Sequence, residues 1–152
     1  MTPLRSLLLA AALLVSAPAL AHTDEWFDSH PPASGGQIRM AGPYHFELMP
    51  QQGKDGILVN VTDHGDKKVA TAGWSAHAVV LSGGKKTRVT LKPAGDNTLR
   101  GAGQFGADAK IVISVKDQGG HGYSARFSPG SAKAPAGEMH DHEHMHEHTH
   151  QH

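Results

Sequence analysis

With 152 residues, no cysteine, and 14 Lys plus Arg against 14 Asp plus Glu, the chain has room for one small domain held by packing alone. The absence of cysteine excludes disulfides, thiolate metal sites and a cysteine nucleophile, and the charge balance gives no electrostatic reason to expect a nucleic-acid partner. Thirteen histidines are the outlier, and seven of them fall between residues 140 and 152.

The N-terminus carries Arg5, an apolar run from Leu7 to Val15, and Ala19-Leu20-Ala21, the three regions of a secretory signal peptide. Removal of residues 1–21 is expected to deliver the chain to the periplasm. The mature protein then has 13 Lys plus Arg against 14 Asp plus Glu, a formal charge of −1 once Arg5 is gone. The apolar run is too short to span a bilayer, no later run reaches the roughly 20 apolar residues a membrane helix needs, and no cysteine follows for a lipid anchor. No membrane insertion is expected after cleavage. His22 would become the N-terminal residue, whose α-amine and ring nitrogen can together chelate one metal ion, with Asp24, His30 or a domain histidine completing the site. A frayed terminus is the plainer reading. Residues 22–34 are polar, contain the aromatic pair Trp26-Phe27 and the stop Pro31-Pro32, and read as an N-terminal arm.

Residues 35–127 alternate with period two, the mark of half-buried strands. Ile38 and Met40 point one way and Gln37 and Arg39 the other. Tyr44, Phe46 and Leu48 face inward, leaving His45, Glu47 and Met49 on the opposite face. Two ligands two residues apart would need only a cross-strand partner to bind a metal, although an outer sheet face is expected to be polar in this manner. Ile57, Val59 and Val61 make the next strand, and Asp63-His64-Gly65-Asp66 a turn. Val79 and Leu81 pair with Val89 and Leu91 across Ser82-Gly83-Gly84, a hairpin signal. The second of these strands is flanked by Lys86, Arg88 and Lys92, and His77 shares the parity of Val79 and Leu81, which places it at a core edge. Leu99 precedes a run from Gly101 to Gly106 that has the spacing of a nucleotide loop, but no predicted helix follows, so it reads as turn or bulge. Ile111, Ile113 and Val115 form the cleanest strand. His121 lies on a Gly-rich loop within reach of a metal, with a plain loop residue as the alternative. Tyr123, Ala125 and Phe127 close the domain. Seven to nine short strands predict an all-β, immunoglobulin-like antiparallel β-sandwich, with a Greek-key barrel second. Trp26-Phe27 and Trp74 read as packing anchors rather than walls for a cation.

Residues 128–138 form a Pro/Gly/Ala/Ser linker, so the tail at 139–152 is expected to be tethered and disordered. Its candidate metal ligands are His140, His142, His144, His146, His148, His150 and His152. Imidazole is the commonest protein ligand for zinc, copper and nickel, and the intervening Asp141, Glu143 and Glu147 add oxygens and negative charge. Solubility alone does not select histidine. Met40, Met49, Met139 and Met145 form no dense thioether motif, which favours Cu(II), Zn(II) or Ni(II) over Cu(I). No Gly-x-Ser-x-Gly elbow or His-Glu-x-x-His helix is present, and no enzymatic activity is expected.

The segments Gly35-Gly36-Gln37-Ile38-Arg39-Met40-Ala41-Gly42-Pro43-Tyr44-His45-Phe46-Glu47-Leu48, Val61-Thr62-Asp63-His64-Gly65 and Leu91-Lys92-Pro93-Ala94-Gly95-Asp96-Asn97 resemble a group of small exported proteobacterial proteins associated with copper and other heavy-metal resistance. That group is similar to periplasmic copper carriers with immunoglobulin-type sandwiches. The resemblance implies the fold, the compartment and the use of an N-terminal histidine; the tail lies outside it. The expected function is a periplasmic protein that buffers or delivers copper, with zinc or nickel as the next metals. The alternatives are an interaction module docking on a metal-efflux component, and an enzyme with copper at His22.

Overall fold

The computed structural model describes residues 23–50 and 56–131. Eight strands run through them: β1 (Gln37–Ala41), β2 (Tyr44–Leu48), β3 (Ile57–Asp63), β4 (Ser75–Ser82), β5 (Lys85–Pro93), β6 (Thr98–Gly101), β7 (Lys110–Lys116) and β8 (Gly122–Phe127). All neighbours are antiparallel, in the order β1-β2-β3-β6-β5-β4-β7-β8. Three consecutive strands, β4, β5 and β6, lie side by side, and β7 returns to pair with β4, which is a Greek key. β5 is the corner: Lys85 to Leu91 pair with β4, while Lys92 and Pro93 pair with β6. The expected all-β antiparallel fold is therefore present as one sheet folded into two layers around a shared interior.

That interior takes Phe46, Leu48, Ile57, Val59, Val61, Leu91, Leu99, Ile111, Ile113 and Phe127, all at most 2% exposed. Burying one such side chain contributes about 1.5–3 kcal/mol, so in a chain without disulfides this shared core carries the fold. The β4–β5 hairpin turns at Gly83 and Gly84, both with positive φ (56° and 74°), the conformation a tight two-residue hairpin turn needs and that glycine adopts at no steric cost.

One strand, β4, faces opposite to the sequence expectation, and β1, whose inward side the alternation leaves open, buries its polar side. On β4 the inward residues are Ala76, Ala78 and Val80, and Val79 and Leu81 point outward. Both faces of β4 are apolar in sequence, so its own alternation is ambiguous. Its neighbours decide: Ala78 lies opposite Val89 and Ile113, and Ala76 opposite Leu91 and Val115, all four buried. On β1 the buried set is Gln37, Arg39 and Ala41, with Arg39 opposite Phe46. Polar side chains are tolerated there because β1 is an end strand, and the curled sheet brings it to β8. At this seam Gln37 Oε1 accepts the Ser128 N–H at 2.8 Å.

The N-terminal arm contains a helix, α1 (Asp24–Ser29), that period-based reading missed because six residues do not complete two turns. Its signal was local: Thr23 caps it, Oγ1 accepting from Trp26 N–H at 3.3 Å, and Asp24 and Glu25 occupy the first turn, where negative charge opposes the helix dipole. The arm packs on the domain. Asp28 takes a two-pronged contact from the Arg39 guanidinium (2.8 and 3.1 Å), and Asp24 accepts the Met40 N–H at 3.0 Å. At the other end, a 3-10 turn (Pro129–Ser131) stays attached through Gly130 N–H to Ala107 O at 3.0 Å. No helix among the described residues is long and apolar enough to cross a membrane.

Candidate functional site

His45 and Glu47 do share the outer face of β2, but the structure separates their roles. His45 is 3% exposed, because α1 lays Phe27 edge-on against its ring (centroids 5.0 Å apart, 75° between planes). His64 stacks on it from the β3 turn at 5.1 Å, and Asp66 Oδ1 lies 3.5 Å from its Nδ1. The exposed polar row expected here is thus half covered. The turn that supplies both partners is built by Asp63, whose Oδ1 accepts from Gly65 N–H (2.8 Å) and Lys67 N–H (3.0 Å). These backbone donors hold the Asp63 carboxyl below the usual range. Asp66 adopts φ 59°, the left-handed conformation that Asp tolerates better than most side chains. His64 Nε2 lies 3.1 Å from Gly42 O, which engages that nitrogen with the β1–β2 turn.

Glu47 instead faces Ser34, whose hydroxyl donates to its Oε1. It also borders an open groove of about 630 Å³ with Asn60, Thr62, Asp66, Asp96 and Thr98 on the outer face of β2, β3 and β6. Much of this lining is already paired: Thr98 Oγ1 donates to Asn60 Oδ1 at 3.1 Å, and Lys68 Nζ lies 3.8 Å from Asp96.

His121 sits far round the sheet order, in the β7–β8 turn, exposed and 3.4 Å from Asp117. Burial raises the Asp117 carboxyl, but the His121 backbone N–H and ring outweigh it and leave the group low. Beneath it, Tyr44 meets Trp74 and Tyr123, each with centroids 5.1 Å apart, and burial followed by the Asp117 charge raises its phenol. His30 stacks on Trp26 at 4.4 Å, with Nδ1 3.0 Å from the Trp26 carbonyl, and Asp24 is turned to β1. Phe27 and Trp74 are buried packing anchors, whereas Trp26 stays 41% exposed. Gly101 ends β6, and the glycine run after it carries no helix.

Among the described residues, no three His, Asp or Glu side chains gather into a group that would hold a metal ion. His45, His64 and Asp66 come nearest, yet their rings are stacked rather than convergent. The other expected ligands, His22 and His140 to His152, lie outside the described residues.

One outer face was not anticipated. Outward positions of β5 to β8 carry Lys86, Arg88 and Lys92 (β5), Arg100 (β6), Lys110 and Lys116 (β7) and Arg126 (β8), all exposed, and no acid. His77 lies at the centre between Thr90 and Ser114, on a shallow depression of about 360 Å³, its ring held below its usual pKa by burial and then by Arg88. The β5 bases were visible in sequence; their convergence with the others depends on register. No family model, curated protein or solved structure matches this chain.

Proposed function

We propose that this is an exported, periplasmic metal-binding protein that buffers or delivers a late first-row metal, with copper ahead of zinc and nickel. The β domain is the stable carrier and the tail captures the ion. The single observation that carries this reading is the strict alternation of seven histidines between 140 and 152. Overlapping His-x-His pairs let a metal exchange ligands along the chain, and the absence of cysteine leaves nitrogen and oxygen donors to set the preference. His22 is the best candidate for a second, more selective site.

Native mass spectrometry of the mature chain, titrated with copper, zinc and nickel, checks the reading beside a chain ending at Ser131. The cut belongs there because Gly130 is hydrogen-bonded to Ala107. The tail accounts for most bound metal at pH 7, and binding falls as pH drops toward about 5, since protons compete for imidazoles with an ordinary pKa of about 6.5. Equal stoichiometry in the two chains defeats the assignment. Docking on an efflux component would call for an apolar patch. The exposed large apolar side chains among the described residues are Trp26 and Leu81, on different elements, and Leu81 is flanked by Lys86 and Lys110.

A further inference from the structure

We infer that the basic outer face of β5, β4 and β7 is the docking surface for this chain's own C-terminal tail, which lies across it with its carboxylates toward the sheet and its histidines toward solvent. The face presents Lys and Arg with no acid at any outward strand position. Residues 138–152 carry Glu138, Asp141, Glu143 and Glu147 and no Lys or Arg. In an extended segment, successive side chains point to opposite sides, so all seven histidines fall on one side and Asp141, Glu143 and Glu147 on the other.

The spacing also matches. Lys86, Arg88 and Lys92 are two and then four residues apart along β5, and Asp141, Glu143 and Glu147 repeat the same intervals. At about 3.3 Å per residue, both sets place charges about 7 and then about 13 Å apart. Two strands can therefore bring three opposite charges into register with Met145 above Thr90. The anchor is well placed: Ser128, just before the last described turn, accepts from Lys110 Nζ at 3.0 Å, and Lys110 lies in the same cross-strand row as Leu81 and Lys86. β5 lies two strands from β7, a distance of about 10 Å. The ten residues from Ser131 to Asp141 reach about 33 Å when extended, so the linker easily spans it. Single exposed ion pairs contribute little, and it is the repeated register that gives this contact its specificity.

The chain lacks cysteine, so Met145→Cys, which this register places above Thr90 beside His77, supplies one attachment point for a nitroxide in the otherwise complete mature protein. Amide resonances of ¹⁵N-labelled protein are recorded at low salt with a chelator present, so the result is independent of metal binding. Resonances of His77, Arg88 and Ser114 broaden several-fold more than those of Glu47 and Asn60 on the opposite layer. Half a molar salt, which shortens the screening length to a few ångströms, removes the difference. So does Asp141→Asn/Glu143→Gln/Glu147→Gln. In a second arm, Lys86→Glu/Arg88→Glu/Lys92→Glu, all at exposed positions, abolishes the selective broadening without changing the unfolding midpoint by more than a few degrees. Equal broadening of the two layers overturns the inference. So does selective broadening that appears when the nitroxide is carried only by a separate, isotopically unlabelled copy, which would assign the face to a second molecule. Neither outcome bears on whether the tail binds metal.

Discussion

The two outer faces of this folded sheet obey the same alternation rule and end in opposite states. Outside β1 and β2, α1 covers the strands, so His45 is buried beneath Phe27 and the charges are mostly acidic: Asp24, Asp28, Glu47 and Asp66. Outside β4, β5 and β7, nothing in the described chain covers the strands, and the charges are basic. Period two separates inward from outward residues; it does not say which outward residues receive a lid. The lid comes from the chain before β1, and only its capping residues announce it.

The largest expected effect tests that lid. Phe27→Ala should cost about 3 kcal/mol by denaturant unfolding, because a ring 5% exposed is lost and His45 is opened to water. Leu81→Ala on the bare face, 47% exposed, should stay within about 0.5 kcal/mol. Equal costs would erase the distinction between the faces. Next comes the latch. Arg39 is buried while its partner Asp28 is about half exposed, so a double-mutant cycle between Arg39→Ala and Asp28→Ala should give a coupling of about 1 kcal/mol, well below that of a fully buried pair. A zero coupling would leave Phe27 and the contacts of Asp24 to hold the helix.

The smallest effect is on the bare face. Burial and Arg88 lower the His77 pKa in the folded state, so the unfolded chain takes up this proton first. Stability is unaffected above the unfolded value of about 6.5 and is lost as pH falls from there through the folded value. His77→Gln should remove that part of the acid sensitivity, read as a narrower gap between the unfolding midpoints at pH 7 and pH 5 than the parent protein shows. An NMR titration placing His77 above 6.5 would reverse the sign.

Most strands were legible because their apolar residues are unequivocal, as in Ile111-Val112-Ile113-Ser114-Val115, where burial follows the pattern. β4 was misread because Ala76 and Ala78 carry so little apolar area that Val79 and Leu81 dominate the pattern, and only pairing with β5 and β7 overrides it. The alternation on β1 leaves its inward side open, because no local rule marks an end strand whose inward side chain, Arg39, turns to a helix. Of the candidate ligands, Glu47 and His121 are exposed or half-exposed as their positions suggest. His45 is not, since its burial depends on a residue 18 positions earlier. The basic face was legible only in its β5 portion.

The seam between β1 and β8 bears on how these molecules behave when crowded. An open sheet edge offers unpaired N–H and C=O groups to any passing strand, and alternating segments are the natural recruits. Here the Met40 N–H at that edge is taken by Asp24, and the Gln37 side chain accepts the Ser128 N–H across the seam. With Met40 N–H and Ile38 O both engaged, this edge is a poorer template for a neighbour's strand. Under the proposed function, clusters bridged by an ion shared between tails should therefore dissolve when the ion is withdrawn, rather than harden into fibrils.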